Sequence, residues 1–178
     1  MLPAGPLMIE HRLIERMIAV LDRQRKAMGS GSAPDHGLLD AAVDFMRTYA
    51  DHCHHGKEEE LLFSKLSNKS MNHDLVEAMD RLIADHVRSR KLIGQLKEMN
   101  DRSRTGDAAA VQEISAVLAE LVKLYPDHIF REDKQFFPAA MRYLSKEESD
   151  DLLVRFKEFD RKLIHEKYIS VVEGVENR

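Results

Sequence analysis

Two six-residue stretches of the chain, HHGKEE at residues 54–59 and HIFRED at residues 128–133, carry the same pattern of ligand-type side chains. Each places a histidine four residues before a glutamate and follows the glutamate with a second acidic residue. In an α-helix this spacing brings the imidazole and the carboxylate onto one face, with Cβ atoms roughly 5–6 Å apart. Because a neutral imidazole and a carboxylate are common metal ligands, each stretch is a candidate half of a metal site.

The composition of the 178-residue chain is that of an ordinary soluble protein, with 33% charged and 43% hydrophobic residues. The net charge of −4 gives no reason to expect a nucleic acid or an anionic membrane as a partner. Cys53 is the only cysteine, which rules out an intrachain disulfide and favours a reducing compartment. The N-terminus lacks the pattern of a signal peptide, and no apolar run reaches membrane-spanning length. We therefore expect one cytoplasmic domain over residues 1–178.

Hydrophobic residues recur at helical spacing along the chain, and no segment alternates as a strand does. The pattern predicts five helices, over about 7–28, 38–66, 72–100, 107–144 and 145–172. Long helices joined by short polar turns are typical of an all-α, up-down-up-down four-helix bundle, here over about 7–144, with the fifth helix packed outside.

Local signals mark several helix ends. Asn72 and Asp107 are expected to be N-caps, and Ser145 and Glu148 have the spacing of a capping box. Pro126 is expected to kink the fourth helix just before His128.

The first two helices repeat the pattern of the next two. An acid–histidine pair ending at His11 precedes His54 by 43 positions, and a second pair ending at His86 precedes His128 by 42. Two such helical hairpins facing each other would bring four histidines and two glutamates to one place.

Helical-wheel positions, at about 100° per residue, separate inward from outward side chains. The wheel places six residues on apolar faces: His11, His54, Glu58, His86, His128 and Glu132. It turns others away from the core, with solvated roles expected for the histidines among them: His52, His55, His73, Glu59 and Asp133. His36 falls in a predicted loop.

A single inward histidine is more often a hydrogen-bonded core residue than a ligand, and a single His/Glu pair is more often a surface ion pair. Six such groups in one core favour a metal site, because burying them without a cation costs several kcal/mol per charge. A structural zinc site would use four ligands, usually with cysteine in tight spacing. Two carboxylates with terminal imidazoles suit a pair of octahedral ions, with iron expected and zinc or another divalent ion as a possible substitute. The Glu-x-x-His motif of ferritin-like proteins is absent from the chain.

With histidine before glutamate, the chain resembles the bacterial branch of the haemerythrin-like family, the HHE cation-binding proteins. The resemblance runs from Ile9-Glu10-His11 to Phe136-Phe137-Pro138. It implies a carboxylate-bridged di-iron centre with the following ligands: His11 and His54 for one iron, His86 and His128 for the other, and Glu58 and Glu132 as bridges.

The chain departs from the oxygen-carrying members of that family in two places. Those members have a fifth histidine one turn before the position of His86, where this chain has Leu82. Water or His165 of the fifth helix is expected to replace it. In those members the acidic ligand of the fourth helix comes five residues after its histidine, at the position of Asp133. The bacterial members resemble this chain at Glu132.

The resemblance implies binding of O2 or NO by the di-iron centre, for sensing, storage or delivery. Three alternatives remain: an enzyme that removes NO or peroxide, iron storage or donation for iron–sulfur cluster repair, and metal used for stability alone. Leu62, Leu82 and Phe136 are candidate walls of a dry pocket. Tyr125 is either a proton donor or a core tyrosine, and Cys53 is expected to be an inert thiol. Oligomeric state is not predicted.

Overall fold

The computed structural model describes residues 2–176, with side chains described for residues 2–163. This part of the chain is all helical, as predicted, and contains no strand. The helices, which we number α1 to α5, have the following bounds. Helix α1 is Ala4–Gly29; α2 runs without a break through His36–Phe45, Met46–His55, Lys57–Phe63 and Ser64–Leu66; α3 is His73–Arg104; α4 runs through Ala108–Arg131, Glu132–Phe136, Phe137–Ala140 and Met141–Tyr143; and α5 is Lys146–Glu176.

The arrangement is the predicted four-helix bundle with an additional C-terminal helix. None of the described helices combines the length and the apolar composition that a bilayer-spanning segment needs.

The predicted helix caps are confirmed. The side chain of Asn72 accepts a hydrogen bond from the backbone N–H of Leu75 at the start of α3, and Asp107 caps α4 in the same way. Ser145 and Glu148 exchange the two bonds of a capping box at 2.9 and 3.2 Å. The prediction that His36 lies in a loop is wrong. His36 is the first residue of α2, because the side chain of Asp35 caps that helix by accepting a hydrogen bond from Leu38 N.

The apolar core is divided into two clusters, one at each end of the bundle, with a polar layer between them. On every helix of the bundle a buried histidine separates a residue of one cluster from a residue of the other. These are His11 between Leu7 and Ile14, His54 between Ala50 and Leu61, His86 between Leu82 and Leu92, and His128 between Tyr125 and Phe136. The histidines therefore lie at one level of the bundle.

Helices α2 and α4 contain π-helical segments, which the sequence pattern does not predict. They span Met46–His55, Lys57–Phe63 and Glu132–Phe136. The i→i+5 bonding of a π-helix adds a residue to each turn, so successive side chains are separated by less than the roughly 100° of an α-helix. Side-chain directions predicted from α-helical geometry are therefore not all correct in these segments. The chain is α-helical on both sides of Pro126, and the change of pitch in α4 comes at Glu132.

Candidate metal centre

The structure brings the six residues predicted to face the core into one buried layer. Their exposures lie between 0 and 3%. The set comprises His11 from α1, His54 and Glu58 from α2, His86 from α3, and His128 and Glu132 from α4. Side chains from all four helices of the bundle therefore meet in its interior.

Each of the two glutamates approaches histidines of both hairpins. Glu58 Oε1 lies 3.4 Å from His54 Nε2, and Glu58 Oε2 lies 3.5 Å from His86 Nε2. Glu132 Oε2 lies 3.2 Å from the Nε2 atoms of both His11 and His128. Each carboxylate is therefore positioned to join the two halves of the layer.

The ligand-type atoms form two groups that share Glu58. One group is His11, His54, Glu58 and Glu132; the other is His55, Glu58, His86 and His128. In each group one ligand atom per residue can be chosen so that all lie within 4.8 Å of one another. Each group could hold a metal ion, and Glu58 belongs to both.

Seven of the donor atoms that face the centre have no hydrogen-bond partner among the described residues. They are Nε2 of His11, His54 and His55, and both carboxylate oxygens of Glu58 and Glu132. Nε2 of His86 and His128 lie 3.2 Å from each other. A buried polar group left unpaired costs about 1–3 kcal/mol, and more when it is charged. A metal cation would compensate all of these atoms at once, so the residues present fit a metal centre.

Each core imidazole is hydrogen-bonded to a carboxylate through the ring nitrogen that faces away from the centre. Nδ1 of every core histidine faces an acidic side chain: Asp133 for His11 at 2.7 Å, Glu10 for His54 at 2.9 Å, Asp51 for His55 at 3.3 Å, Glu59 for His86 at 2.7 Å, and Asp85 for His128 at 3.3 Å. An imidazole that donates Nδ1–H to a carboxylate presents the lone pair of Nε2 to the centre, which is the usual orientation of a metal-bound histidine.

Each of these carboxylates is in turn paired with a basic side chain. The pairs are Arg12 with Asp133, Lys57 with Glu10, Arg131 with Asp85, and Arg90 with both Asp51 and Glu59. The outer acids are therefore neutralised from the periphery, and the two inner glutamates are not.

The pKa values show how strongly the inner groups interact. Burial and the nearby Glu132 raise the pKa of Glu58 well above its ordinary value. Burial acts on Glu132 in the same direction, but the imidazole of His128 and its neighbours lower the pKa of Glu132 well below its ordinary value. Although burial lowers it, Glu132 and Asp85 raise the pKa of His128 to about 9. Metal binding requires deprotonated ligands, so a cation at this position would replace these protons.

Two side-chain directions predicted from the sequence are wrong. His55 is not solvated: it is 1% exposed and belongs to the second group of donors, because the π-helical pitch of α2 turns it inward beside His54. Asp133 does not point away: it is 7% exposed and accepts from His11, because it lies in the π-helical segment of α4. The tandem histidines, and the spacing of His55 from Asp51 and from Glu59, were sequence signals for His55.

The remaining predicted residues fall into three sets. His52 and His73 are exposed, as predicted, and Leu62, Leu82 and Phe136 are buried. Tyr125 is buried with its hydroxyl 2.6 Å from Ser89 Oγ, and burial raises the pKa of the Cys53 thiol to about 12. His165 lies outside the residues whose side chains are described.

Lys57 is a buried residue that the sequence reasoning missed. Its ammonium contacts Glu10 and lies 2.7 Å from Asp160 of α5. Glu10, Cys53 and Asp160 form a third cluster of ligand-type atoms, but the Lys57 ammonium already contacts both of its carboxylates. A lysine inside an acidic stretch carries no sequence signal for such a position.

The fold and this donor layer are those of a helical metal-binding protein. The chain belongs to the family described as the hemerythrin HHE cation-binding domain, whose model matches residues 4–140. Its curated relatives include uncharacterized proteins of Mycobacterium bovis and Mycobacterium tuberculosis, each 22% identical over 170 residues. The match covers 95% of this chain and 66% of each relative, so the chain spans slightly less than two thirds of their length.

Proposed function

We propose that the protein is a non-haem di-iron protein that binds O2 or another diatomic, NO, for sensing, storage or delivery. The observation that carries this proposal is the buried layer of converging imidazole nitrogens and carboxylate oxygens, seven of which have no hydrogen-bond partner among the described residues.

The proposed ligands follow the two donor groups. His11 and His54 would hold one iron, His86 and His128 the other, and Glu58 and Glu132 would bridge them. The approach of Glu58 to His54 and His86 supports the bridging role, as does that of Glu132 to His11 and His128. Imidazole and carboxylate donors in this number suit iron, and the same set would also accept zinc or another divalent ion.

When bound, the iron pair would supply an open coordination position for the diatomic. The chain supplies the surroundings. The two apolar clusters lie on either side of the donor layer, and Leu82 and Phe136 are both about 1% exposed next to it. A dry setting of this kind keeps water from competing for the centre and governs its reactivity.

Two observations favour binding over the alternatives. The hydroxyl of Tyr125 is hydrogen-bonded to Ser89 Oγ, and burial raises the pKa of the Cys53 thiol to about 12. These features disfavour Tyr125 as a proton donor to the centre and Cys53 as a reactive thiolate. The proposed ligands are almost wholly buried, which favours retention of the metal over its donation to another protein.

The test begins with metal content. Purified protein should hold about two irons per chain, and His54→Ala or Glu58→Ala should lose metal. The matched controls His52→Ala and Glu60→Ala alter exposed residues of the same helix and should keep it. Full iron content after the first two changes would contradict the assignment.

The role is tested by exposing the reduced protein to O2, and separately to NO, while the visible spectrum is recorded. A coloured adduct that disappears under vacuum would support carriage or sensing. Rapid loss of the adduct's colour with turnover of NO or peroxide would overturn the binding role and favour an enzyme.

A further inference from the structure

We propose that His55 is a further metal ligand, on the side of the centre that holds His86 and His128. This inference rests on the proposed function. It makes the two metal positions unequal, because one would have three imidazoles and the other two.

The ring nitrogen Nε2 of His55 lies where a metal ligand would be needed. Nε2 of His55 is buried and has no hydrogen-bond partner within residues 2–163, and the same is true of Nε2 of His11 and His54. Its group of donors contains Glu58, His86 and His128, within the same 4.8 Å limit as the other group. A histidine that served only to pack the core would be expected to have both ring nitrogens satisfied.

The imidazole of His55 is oriented by a carboxylate, as are those of the other proposed ligands. His55 Nδ1 faces Asp51 Oδ1 at 3.3 Å, so His55 has the same kind of carboxylate partner as the four histidines predicted to be ligands. Arg90 donates to Asp51 at 2.7 Å and to Glu59, the partner of His86, also at 2.7 Å. The Arg90 guanidinium therefore positions both Asp51 and Glu59, the carboxylates that are hydrogen-bonded to His55 and His86.

The imidazole ring of His55 packs against the rings of His86 and His128. The imidazoles of His55 and His86 are stacked, with centroids 3.8 Å apart and planes 12° from parallel. The ring of His128 is edge-on to both, with centroids at 6.0 and 4.9 Å. The three rings are therefore clustered: Nε2 of His86 and His128 lie 3.2 Å apart, and all three residues belong to one group of potential ligands with Glu58.

The π-helical pitch of α2 makes this arrangement possible. At α-helical pitch, adjacent residues point about 100° apart, so the helical wheel turns His55 away from the face of His54. In the segment Met46–His55 the smaller rotation per residue brings both side chains inside. Each then serves a different metal position.

The experiment counts ligated imidazoles in the intact chain loaded with cobalt(II). A cobalt-bound imidazole gives one strongly shifted exchangeable proton signal, from Nδ1–H, in the NMR spectrum. Five such signals are expected in the wild-type protein. His55→Gln should remove one of them and weaken binding of one metal by more than the roughly 10–100-fold expected for loss of an outer partner. His52→Gln, on the exposed side of α2, should leave all five.

Four signals in the wild-type protein would overturn the inference, whether or not the variant folds. Five signals that all persist in His55→Gln would do the same. Failure of the proposed function is a separate outcome, because it would appear as wild-type protein that retains no iron.

Discussion

The backbone of Gly56 lies directly against the ring of Phe159, since a Cβ built on Gly56 would be 2.7 Å from Phe159 Cζ and 3.1 Å from Cε1. Gly56 stands between the two π-helical segments of α2 and next to the buried Lys57. The contact shows that α5 closes over the stretch of α2 that contributes three donors to the metal layer. It also explains why a glycine occupies the middle of this helix.

We expect Gly56→Ala to destabilise the protein by about 1–3 kcal/mol, because the added methyl group must displace the Phe159 ring. Gly94→Ala is the matched control: an added Cβ meets nothing within 4 Å there, so it should stabilise α3 by about 0.5–1 kcal/mol. Denaturant unfolding measures both. In a Phe159→Ala background the cost of Gly56→Ala should disappear. Equal stability of the two alanine variants would contradict the contact.

Lys57→Met should cost about 3–5 kcal/mol, because it leaves Glu10 and Asp160 without the cation between them. Lys97→Met removes an exposed pair with Asp101 and should cost less than about 1 kcal/mol. Denaturant unfolding of the metal-free proteins gives both values. Lys57→Met should also broaden the spectrum of the bound metal, since Glu10 orients His54. A cost no greater than that of Lys97→Met would rule out a buried ion pair.

Asp133→Ala should weaken metal binding by about 10–100-fold while leaving the helices intact, because the carboxylate that orients His11 is lost. Asp127→Ala removes an exposed carboxylate of the same helix and should change nothing. Competition with a chelator measures the affinity, and circular dichroism checks the fold. Unchanged affinity in Asp133→Ala would show that the bond to His11 does not orient a ligand.

Glu148 should make the start of α5 sensitive to acid. Hydrogen bonds from Lys69 and from the backbone N–H of Ser145 lower the pKa of Glu148 to about 2, from an ordinary value of 4.5. A pKa depressed by folding adds stability that is present above pH 4.5 and is lost as the pH falls toward 2. Glu148→Gln should therefore be less stable than the wild type at pH 7, with the difference shrinking between pH 4.5 and 2. Thermal unfolding of both proteins across this range tests the sign, and a difference that stayed constant or grew as the pH fell would contradict it.

The sequence by itself determined the parts of this protein that depend on neighbours along the chain. Caps at Asn72 and Asp107 are local hydrogen bonds, so residue type and spacing were sufficient to find them. The apolar periodicity was sufficient to place His11 and His86 in the core, because most of each helix keeps α-helical pitch. The repeated His-x-x-x-Glu spacing likewise predicted which residues meet in the layer.

Only the tertiary structure decided the direction of His55 and the partner of each imidazole. A π-helical segment has no sequence pattern of its own, because it forms where packing of the whole bundle outweighs the cost of weaker local bonding. The sequence pattern predicted water or His165 in place of the fifth histidine, whereas the inward direction of His55 is seen only in the structure. Asp133 meets His11 across 122 residues of chain. Such pairing depends on how α1 and α4 pack, which no local pattern encodes.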